Sequence, residues 1–286
     1  MKVGFIGLGR MGGHMCSNVI KAGFETYVSD LVPALVEQKV AEGAIGCKDN
    51  LEVAANMDIG FTMLPNGAIV EAVMCGPKGV LSHCKPGTII VDMSSVAPGT
   101  TQKMAKIAAE HGVKYMDAPV SGGTIGAQKG TLAIMVGGDR DAFDKMHDVF
   151  AAMGTNIRYQ GGAGCGQHTK MANQIAISGC VAAVCEAIAY AKRCGLDPQD
   201  MFDAISTGAA GSWQLTNNGQ KIINGDYAPG FYVKHFIKDM NIALDEAQAR
   251  DLDLTVLHMV RDKYDELAAQ GGADEGTQAL IKVIDK

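Results

Sequence analysis

Short apolar runs and amphipathic segments alternate along the first half of the chain. The apolar runs predict buried strands, which cover residues 2–6, 25–28, 59–64, 88–92 and 114–117. The segments between them predict helices over residues 13–22, 67–74 and 97–111. Such alternation is typical of βαβ units, whose consecutive strands lie parallel in one sheet. We therefore predict an α/β domain built on a doubly wound parallel sheet.

The pattern changes to helices alone from about residue 166 to the end, with turns rich in glycine and proline between them. We predict two domains, residues 1–163 and residues 164–286, of which the second is all-helical. The two share a long helix rather than a flexible linker. The most apolar stretch of that helix, residues 175–185, has 11 residues before the charged Glu186. This stretch is too short to cross a bilayer and predicts a buried helix.

The loop after the first predicted strand has the sequence GLGRMG, residues 7–12, and a predicted helix follows it. In a Rossmann-type strand–turn–helix unit, Gly7 makes the tight turn and Gly9 lets the backbone approach a pyrophosphate. Gly12 lets the helix pack closely on the strand, and Met11 lies in the same loop. Because the helix N-terminus then faces the phosphates, the loop predicts a dinucleotide site. The alternative is a glycine-rich turn of another doubly wound protein.

A carboxylate follows the second predicted strand, at Asp30, which lies 18 residues after Gly12. At this position an acidic side chain holds the 2′-hydroxyl of the adenosine ribose and repels a 2′-phosphate. The next residues, 31–34, contain no arginine that would receive such a phosphate. We therefore predict that the cofactor is NAD rather than NADP.

Small polar residues also mark the ends of two other predicted strands. Leu64, Pro65 and Asn66 stand at the end of one of these strands, and Ser95 follows the other. The carboxyl ends of parallel strands are where an open α/β sheet binds its ligand. We therefore expect all four residues to contact the cofactor, with ordinary turn chemistry as the alternative for Asn66 and Ser95.

A glycine-rich segment links the two halves of the chain at residues 117–132. Within it, Ser121, Gly122 and Gly123 follow a strand end stiffened by Pro119. Successive backbone N–H groups together with a hydroxyl form a site for an anion. We predict that these three residues bind a small carboxylate, and a plain glycine turn is the alternative.

Lys170 and Asn173 lie three residues apart in a nearly uncharged helical stretch that begins at Gly164. This spacing places both side chains on one face of a helix. An ammonium group stabilises the negative charge that develops when a carbonyl is reduced and then donates the proton, and its neutral amine accepts that proton in the reverse direction. We predict that Lys170 is the general acid and base, with a lysine that extends to solvent from the helix end as the alternative.

Composition narrows the class of protein further. The 286 residues carry a net charge of −6 and contain no basic run, which argues against a nucleic-acid partner. The eight cysteines form no CxxC pair, so we expect reduced thiols and no metal site. Because the first predicted strand begins at residue 2, we expect no signal peptide, no membrane association and a cytoplasmic location.

These motifs together resemble the β-hydroxyacid dehydrogenase family, through residues 7–12, 117–123, 164–173 and 230–239. The resemblance implies that Lys170 is catalytic, that Asn173 orients the substrate, and that residues 121–123 hold its carboxylate. It also implies that Lys238 and Ser95 lie near the nicotinamide. The implied substrate is a short 3-hydroxyacid or its semialdehyde. Members of the family form dimers or tetramers, so a homodimer or homotetramer is expected.

Candidate residues for the lining of the substrate pocket lie in the second half of the chain. Ser212 and Phe231 are expected in the pocket, and Trp213 is a further possibility with core packing as the alternative. A cationic His235 would pair with a second acidic group of the substrate, or it would be an interior residue. For Lys238, a solvated charge pair with the adjacent Asp239 is the alternative.

Three other functions are compatible with the same fold. An imine reductase-like enzyme usually lacks the lysine, and the decarboxylating phosphogluconate enzymes carry a much larger C-terminal domain. A non-catalytic NAD(P)-binding sensor would need no proton donor. The combination of Lys170, Asn173 and Ser121 therefore favours a dehydrogenase.

Overall fold

The computed structural model describes residues 1–76 and 79–286. The chain forms two compact units, Met1–Lys170 and Met171–Lys286. The strands all lie in the first unit: β1 Lys2–Ile6, β2 Glu25–Ser29, β3 Ile45–Gly46, β4 Ile59–Thr62, β5 Ile89–Asp92, β6 Lys114–Asp117, β7 Val120–Ser121, β8 Leu132–Gly137 and β9 Gly154–Gly161. The helices of this unit are α1 Gly12–Lys21, α2 Pro33–Ala41, α3 Asn50–Asn56, α4 Gly67–Cys75, α5 Pro98–Glu110, α6 Gly123–Lys129, α7 Arg140–Lys145 and α8 His147–Met153.

Helix α9, Cys165–Arg193, continues from the first unit into the second. It is followed by α10 Pro198–Ile205, α11 Gln220–Ile223, α12 Val233–Gln248, α13 Thr255–Ala269 and α14 Ile281–Ile284. A π-helix over Gln214–Gly219 precedes α11 directly. Every regular element described beyond residue 170 is helical, and a single isolated bridge joins Tyr232 to Gly276. The predicted change to an all-helical pattern is confirmed.

The sheet has the order β3-β2-β1-β4-β5-β6-β8-β7, and β9 also pairs with β8. Strands β6 and β7 pair with different residues along one edge of β8, and β9 pairs with its other edge. The first six strands in this order are parallel. The chain winds outward from β1 in one direction and then from β4 in the other, and nucleotide sites form where the order reverses. The predicted doubly wound parallel sheet is therefore confirmed.

The sheet extends further than the sequence pattern predicted. Strand β8 runs antiparallel to β6 and β7 and parallel to β9, which makes the sheet mixed at this side. The glycine-rich linking segment contains β7 and α6, neither of which was predicted. Strand β4 also ends at Thr62, so Leu64 lies in the loop after it rather than at its last position.

Alternation along the strands sends apolar side chains into a core on each face of the sheet. Val3 and Phe5 of β1 pack on one face and Ile6 on the other, as a two-residue period requires. On the first face, Phe5 and Phe61 have ring centroids 5.9 Å apart, and Phe150 meets Phe61 edge-on at 6.1 Å. Burial of apolar surface on both sides explains why the strand sequences are almost continuously hydrophobic.

The second unit has a core of its own around α12 and α13. Phe236 and Tyr264 pack edge-to-face with ring centroids 5.2 Å apart, and both side chains are buried. The Tyr264 hydroxyl donates to the carbonyl of Thr277 over 2.7 Å, so the buried phenol has a partner. Residues of α9, including Val181 and Ile188, belong to the same cluster.

Helix α9 is longer than its apolar centre suggested. Its 29 residues make it long and apolar enough to cross a membrane by length and composition, and 44% of its most apolar window is buried. The estimate from residues 175–185 was wrong because isolated charged residues, such as Lys170 and Glu186, lie within the helix rather than at its ends. Core helices of soluble proteins meet the same criterion of length and hydropathy.

We expect Gly12→Ala to lower the free energy of unfolding by about 1–3 kcal/mol, the usual range for overpacking. A Cβ at Gly12 would collide with the carbonyl oxygen of Gly7 and lie 3.2 Å from Cβ of Met63. Helix propensity alone predicts the opposite sign, because alanine is the better helix former. The measurement is urea unfolding followed by circular dichroism.

The matched control is Gly9→Ala, in the same loop. A Cβ at Gly9 meets no heavy atom within 4 Å, so the unfolding free energy should change by less than about 1 kcal/mol. Equal stability of the two variants would show that close packing at Gly12 is not what requires glycine.

Candidate functional site

The glycine loop presents bare backbone at the start of α1. Gly7 has a φ of +92°, and its N–H donates to the carbonyl of Ser29 over 3.2 Å. Gly9 is exposed and has open space where a side chain would be, while Gly12 is buried as the first residue of α1. Met11 is half-buried and stands at the N-cap position of the same helix, without a side-chain hydrogen bond to it. Open backbone followed by a helix N-terminus is the form that a pyrophosphate site takes in dinucleotide-binding folds.

Asp30 holds this loop to the end of β2. One carboxylate oxygen accepts from the backbone N–H of Leu8 over 2.7 Å, and the other accepts from that of Val32 over 2.8 Å. The sequence indicated the position of Asp30 but not its bond to the loop. The next side chain, Leu31, is 98% exposed and so does not cover the carboxylate from solvent.

Polar residues at and just after the ends of β4 and β5 form one hydrogen-bonded group. Asp92 is fully buried, and its Oδ1 accepts from Thr62 Oγ1 at 2.9 Å, Ser94 Oγ at 2.5 Å and Ser94 N at 3.1 Å. The Ser94 hydroxyl in turn accepts from the backbone N–H of Leu64 over 2.8 Å. The loop at Leu64 and the loop that carries the half-buried Ser95 are thereby tied together.

Asn66 and Pro65, two of the predicted cofactor contacts, lie side by side in the loop after β4 but have different surroundings. Asn66 caps α4, since its side chain accepts from the backbone N–H of Ile69 over 3.0 Å. This is the turn chemistry that had been the alternative for Asn66. Pro65 is exposed beside it, at the surface of the same loop.

Burial raises the pKa of Asp92 to about 6, although the hydrogen bonds from Ser94 and Thr62 favour the ionised form. Its second oxygen, Oδ2, has no hydrogen-bond partner among the described residues. The nearby Tyr115 hydroxyl also lowers the pKa of Asp92, although the two groups are not placed well enough to form a hydrogen bond. Burial raises the pKa of Tyr115 well above its ordinary value, so the phenol is neutral at physiological pH.

The loop after β7 has the backbone of an anion site. Gly122 and Gly123 have φ values of +131° and +61°, which only glycine adopts without strain, and α6 begins at Gly123. Ser121 is half-buried at the end of β7, directly before them. Successive N–H groups in such a conformation form a concave donor surface.

Lys170 lies against the strand that leads into this loop. Its Nζ donates to the carbonyl of Val120 over 2.8 Å, and the residue is only 7% exposed. A lysine that extends to solvent would be largely exposed, so that alternative does not hold. The structure therefore brings the predicted acid and base next to the predicted carboxylate site at Ser121.

The start of α9 depends on Asp117 and Gln167, for which no role was predicted. Asp117, fully buried at the end of β6, accepts from the backbone N–H of Gly164 over 2.9 Å and from that of Gln167 over 2.8 Å. Burial raises the pKa of Asp117, and these N–H donors oppose the increase. The Gln167 side chain is also buried and bonds to the backbone at residues 94 and 96. The sequence did contain a signal for Gln167, because it is a polar residue three positions before Lys170 and therefore lies on the same helix face.

In the second unit, two hydrogen bonds and one ion pair connect Asn173 to Lys238. Asn173 donates to Gln174 over 2.8 Å, and Gln174 donates to Asp239 over 2.7 Å. Lys238 Nζ lies 3.2 Å from the other carboxylate oxygen of Asp239. The charge pair that was the alternative for Lys238 is present, but only its Lys238 end is partly exposed, since Asp239 is fully buried.

The predicted pocket residues of the second unit have mixed surroundings. Ser212 accepts from the backbone N–H of Leu215 over 3.0 Å, and Trp213 is 58% exposed, so core packing of Trp213 is wrong. Phe231 packs edge-on against Phe236 at 5.9 Å and stays partly exposed. Its ring centroid lies 6.4 Å from that of His235.

His235 does not have the surroundings of a cation. Burial lowers its pKa, and the positive charges of Lys238 and Lys234 lower it further. The imidazole is therefore neutral at physiological pH, which argues against an ion pair with a second acidic group of a ligand. In the described part of the chain, no group of three or more histidine, cysteine, aspartate or glutamate side chains is placed to hold a metal.

Comparison with known proteins agrees with this arrangement. Residues 2–162 match the family described as the NAD binding domain of 6-phosphogluconate dehydrogenase, and residues 164–284 match that described as NAD-binding of NADP-dependent 3-hydroxyisobutyrate dehydrogenase. The 2-(hydroxymethyl)glutarate dehydrogenase of Eubacterium barkeri is 44% identical, with 99% of this chain and 94% of that protein covered. The 2-hydroxy-3-oxopropionate reductase of Escherichia coli is 38% identical over 100% and 97% of the two chains.

The chain belongs to the β-hydroxyacid dehydrogenase family. A crystal structure of 3-hydroxyisobutyrate dehydrogenase from Salmonella typhimurium has a TM-score of 0.91 to this β-hydroxyacid dehydrogenase at 30% identity, and each chain is covered to 99%. The resemblance seen in the four motifs is therefore confirmed over the whole chain. Both matched regions are NAD(P)-binding domains, so the chain is an NAD(P)-dependent oxidoreductase.

We expect Asp92→Asn to remove a pH dependence from the stability of this β-hydroxyacid dehydrogenase. Folding raises the Asp92 pKa from 3.8 to about 6, so its contribution to stability is largest below pH 3.8 and is lost as pH rises through about 6. Asparagine keeps the oxygen that accepts from Thr62 and Ser94. The unfolding free energy of the variant relative to wild type should therefore rise by about 2 kcal/mol from about pH 4 to pH 7.

Urea titrations at a series of pH values measure this difference. Asp148→Asn is the control, because that side chain is 94% exposed and its effect should hardly vary with pH. A difference for Asp92→Asn that is flat between these pH values would contradict the burial of an ionisable Asp92.

Proposed function

We propose that this β-hydroxyacid dehydrogenase transfers a hydride between NAD and a short 3-hydroxyacid or its semialdehyde carboxylate, with Lys170 as the general acid and base. The observation that carries the proposal is the buried Nζ of Lys170, bonded to Val120 directly before Ser121. The names of the relatives from Eubacterium barkeri and Escherichia coli refer to small hydroxy- or oxo-acids of this kind.

The nicotinamide cofactor, when bound, donates or accepts the hydride. Lys170, as an ammonium group, stabilises the developing charge on the carbonyl oxygen and donates the proton to it. In the oxidative direction, its neutral amine removes the hydroxyl proton of the substrate. The carbonyl of Val120 fixes where Nζ lies, so that the proton is delivered next to the bound carboxylate.

The other site residues bind and orient the two ligands. The substrate carboxylate is held by the hydroxyl of Ser121 and the N–H groups of residues 122 and 123, and Asn173 orients the reacting end. Ser212 and Phe231 line the pocket. The positive φ values of Gly122 and Gly123 support this assignment.

For the cofactor, we propose that Gly7, Gly9, Met11 and Gly12 contact the pyrophosphate and that Asp30 binds the ribose. Leu64, Pro65, Asn66, Ser95 and Lys238 complete the nicotinamide side. Preference for NAD over NADP is supported by the Asp30 carboxylate and by the exposed, uncharged Leu31 and Val32 that follow it.

Domain roles, assembly and location are extensions of the same proposal. Residues 1–163 would bind NAD, and residues 164–286 would bind substrate and form a homodimer or homotetramer. Support for assembly comes from small exposed residues on one side of α9, namely Ala172, Ala176, Cys180 and Ala183. We also propose a cytoplasmic location. An imine reductase-like enzyme or an NAD(P)-binding sensor stays the alternative, and the buried Lys170 argues against both.

We expect Lys170→Ala to lower kcat by about 10²–10⁴-fold while its affinity for NADH stays within about twofold of wild type. Loss of the proton donor slows the chemical step but leaves the glycine loop and Asp30 intact. The measurement is NADH oxidation with tartronate, succinic, methylmalonic and sulfonated semialdehydes. Lys192→Ala is the control, because it removes a lysine from the same helix at a partly exposed position.

Turnover of Lys170→Ala close to wild type on any active substrate would rule out Lys170 as the acid and base. If wild type binds NADH and turns over none of the four aldehydes, the sensor alternative gains support instead.

We expect Asp30→Ala to shift the ratio of NADH to NADPH use towards NADPH by about ten- to a hundredfold. Hydrogen bonds to charged groups have about this energetic value, and the repulsion of a 2′-phosphate is lost as well. The variant also lacks the hydrogen bond from the Leu8 N–H to Asp30, whichever cofactor is bound. We therefore expect the affinity for both cofactors to decrease by a similar factor, in addition to the shift in preference. The measurement is kcat/KM with each cofactor.

Asp30→Asn is the matched control, because it keeps an acceptor for Leu8 and removes the charge. It should show a similar shift in preference with a smaller common loss. Equal losses for NADH and NADPH in both variants would disprove the ribose assignment.

A further inference from the structure

The Gln167 side chain forms a bridge between α9 and the loop after β5. Its Nε2 donates to the carbonyl of Ser94 over 2.8 Å, and its Oε1 accepts from the backbone N–H of Val96 over 3.2 Å. These two backbone groups stand on either side of Ser95. One amide side chain therefore makes the pair of hydrogen bonds that a neighbouring peptide group would make in a sheet.

Burial makes this bridge necessary. Gln167, Ser94 and Val96 are all 0–1% exposed, so water does not replace either hydrogen bond. A buried backbone N–H or carbonyl without a partner destabilises the fold by about 1–3 kcal/mol. The loop that carries Ser95 is therefore held in one register relative to the first turn of α9.

Both ends of the bridge are themselves fixed. The backbone N–H of Gln167 donates to Asp117 over 2.8 Å, and the Ser94 hydroxyl donates to Asp92 over 2.5 Å. The orientation of the amide is also determined, because the Ser94 carbonyl only accepts and the Val96 N–H only donates. Lys170 lies on the same helix face as Gln167, three residues further along.

We propose that Gln167 is a positioning residue, which sets the Ser95 loop and the Lys170 helix at the distance that hydride and proton transfer require. This inference rests on the proposed function of Lys170 and Ser95. Gln167 acts through the backbone at residues 94 and 96 and not on the substrate. Small displacements of groups that hold reactants lower rates by up to about a hundredfold, so the effect should fall on kcat.

A glutamate at this position tests the bridge by its protonation state. An ionised Gln167→Glu side chain has no donor for the Ser94 carbonyl, whereas the protonated acid has one O–H donor and one acceptor. Burial, together with the carboxylates of Asp117 and Asp92, raises the pKa of the introduced group and favours the protonated form. Gln167→Met has a similar length and neither hydrogen bond at any pH.

The experiment compares kcat of both variants with wild type between about pH 5 and pH 8. At the upper end, both should lose about ten- to a hundredfold in kcat, with KM for NADH within about threefold of wild type. As the pH falls, the ratio for Gln167→Glu should recover at least about threefold, and that for Gln167→Met should stay flat. Asp92, Asp117, Lys170 and His168 are present in all three proteins, and a flat ratio for Gln167→Met would show that they do not by themselves produce the recovery.

A kcat of Gln167→Met within about twofold of wild type would overturn the proposal, as would a flat ratio for Gln167→Glu. If Gln167→Met does not fold, Gln167→Asn takes its place, since it keeps both polar groups but is one methylene too short. Its kcat should fall while its affinity for NADH is kept, and wild-type turnover would contradict the inference.

Hydrogen exchange separates this inference from the proposed function, because it needs no substrate. The Val96 amide should exchange faster in Gln167→Met than in wild type and should regain protection in Gln167→Glu at low pH. If no substrate is turned over, this result still supports the bridge. Unchanged exchange at Val96 in Gln167→Met would show that the bridge does not form.

Discussion

The Asp117 carboxylate lies fully buried at the end of β6 and accepts the N–H groups with which α9 begins. Each partner depends on the other. Without the carboxylate, the first turn of the helix would have unpaired donors, and without these donors a buried charge would lose several kcal/mol of compensation. This mutual dependence fixes where α9 starts, and the start of the helix determines where Gln167 and Lys170 lie.

The fold of the first unit follows from features that are local in sequence. Continuous apolar runs mark strands buried on both faces, and the glycine loop after β1 marks the turn into α1. These signals were sufficient for five of the six strands β1–β6, missing the two-residue β3, and for the helical second half. They failed at β7–β9, because β9 is largely polar and exposed and the segment around β7 is rich in glycine. At β7 and β9, hydrogen bonding to β8 stabilises the extended conformation that local propensity does not favour.

The candidate site was predictable where chemistry demands one residue type at one position, as for Lys170 and Asp30. The parts of the site whose side chains act through hydrogen bonds to residues distant in sequence were not predictable. Gln167 and Asp239 have ordinary neighbours in sequence, and only the packed structure shows that both are buried with polar partners. The surroundings of His235 and Trp213 likewise depend on which face of the second unit each occupies.

The anchoring of α9 also limits how such chains can be recombined. The residues that pair with Asp117 and with the loop at residues 94–96 belong to the first unit, although they follow the last strand. A crossover placed directly after β9 would combine one parent's strand ends with another parent's helix start and would disturb buried hydrogen bonds. A crossover inside α9, beyond Lys170, keeps them together. The natural joint for exchanging the second unit is therefore the middle of a helix and not a loop.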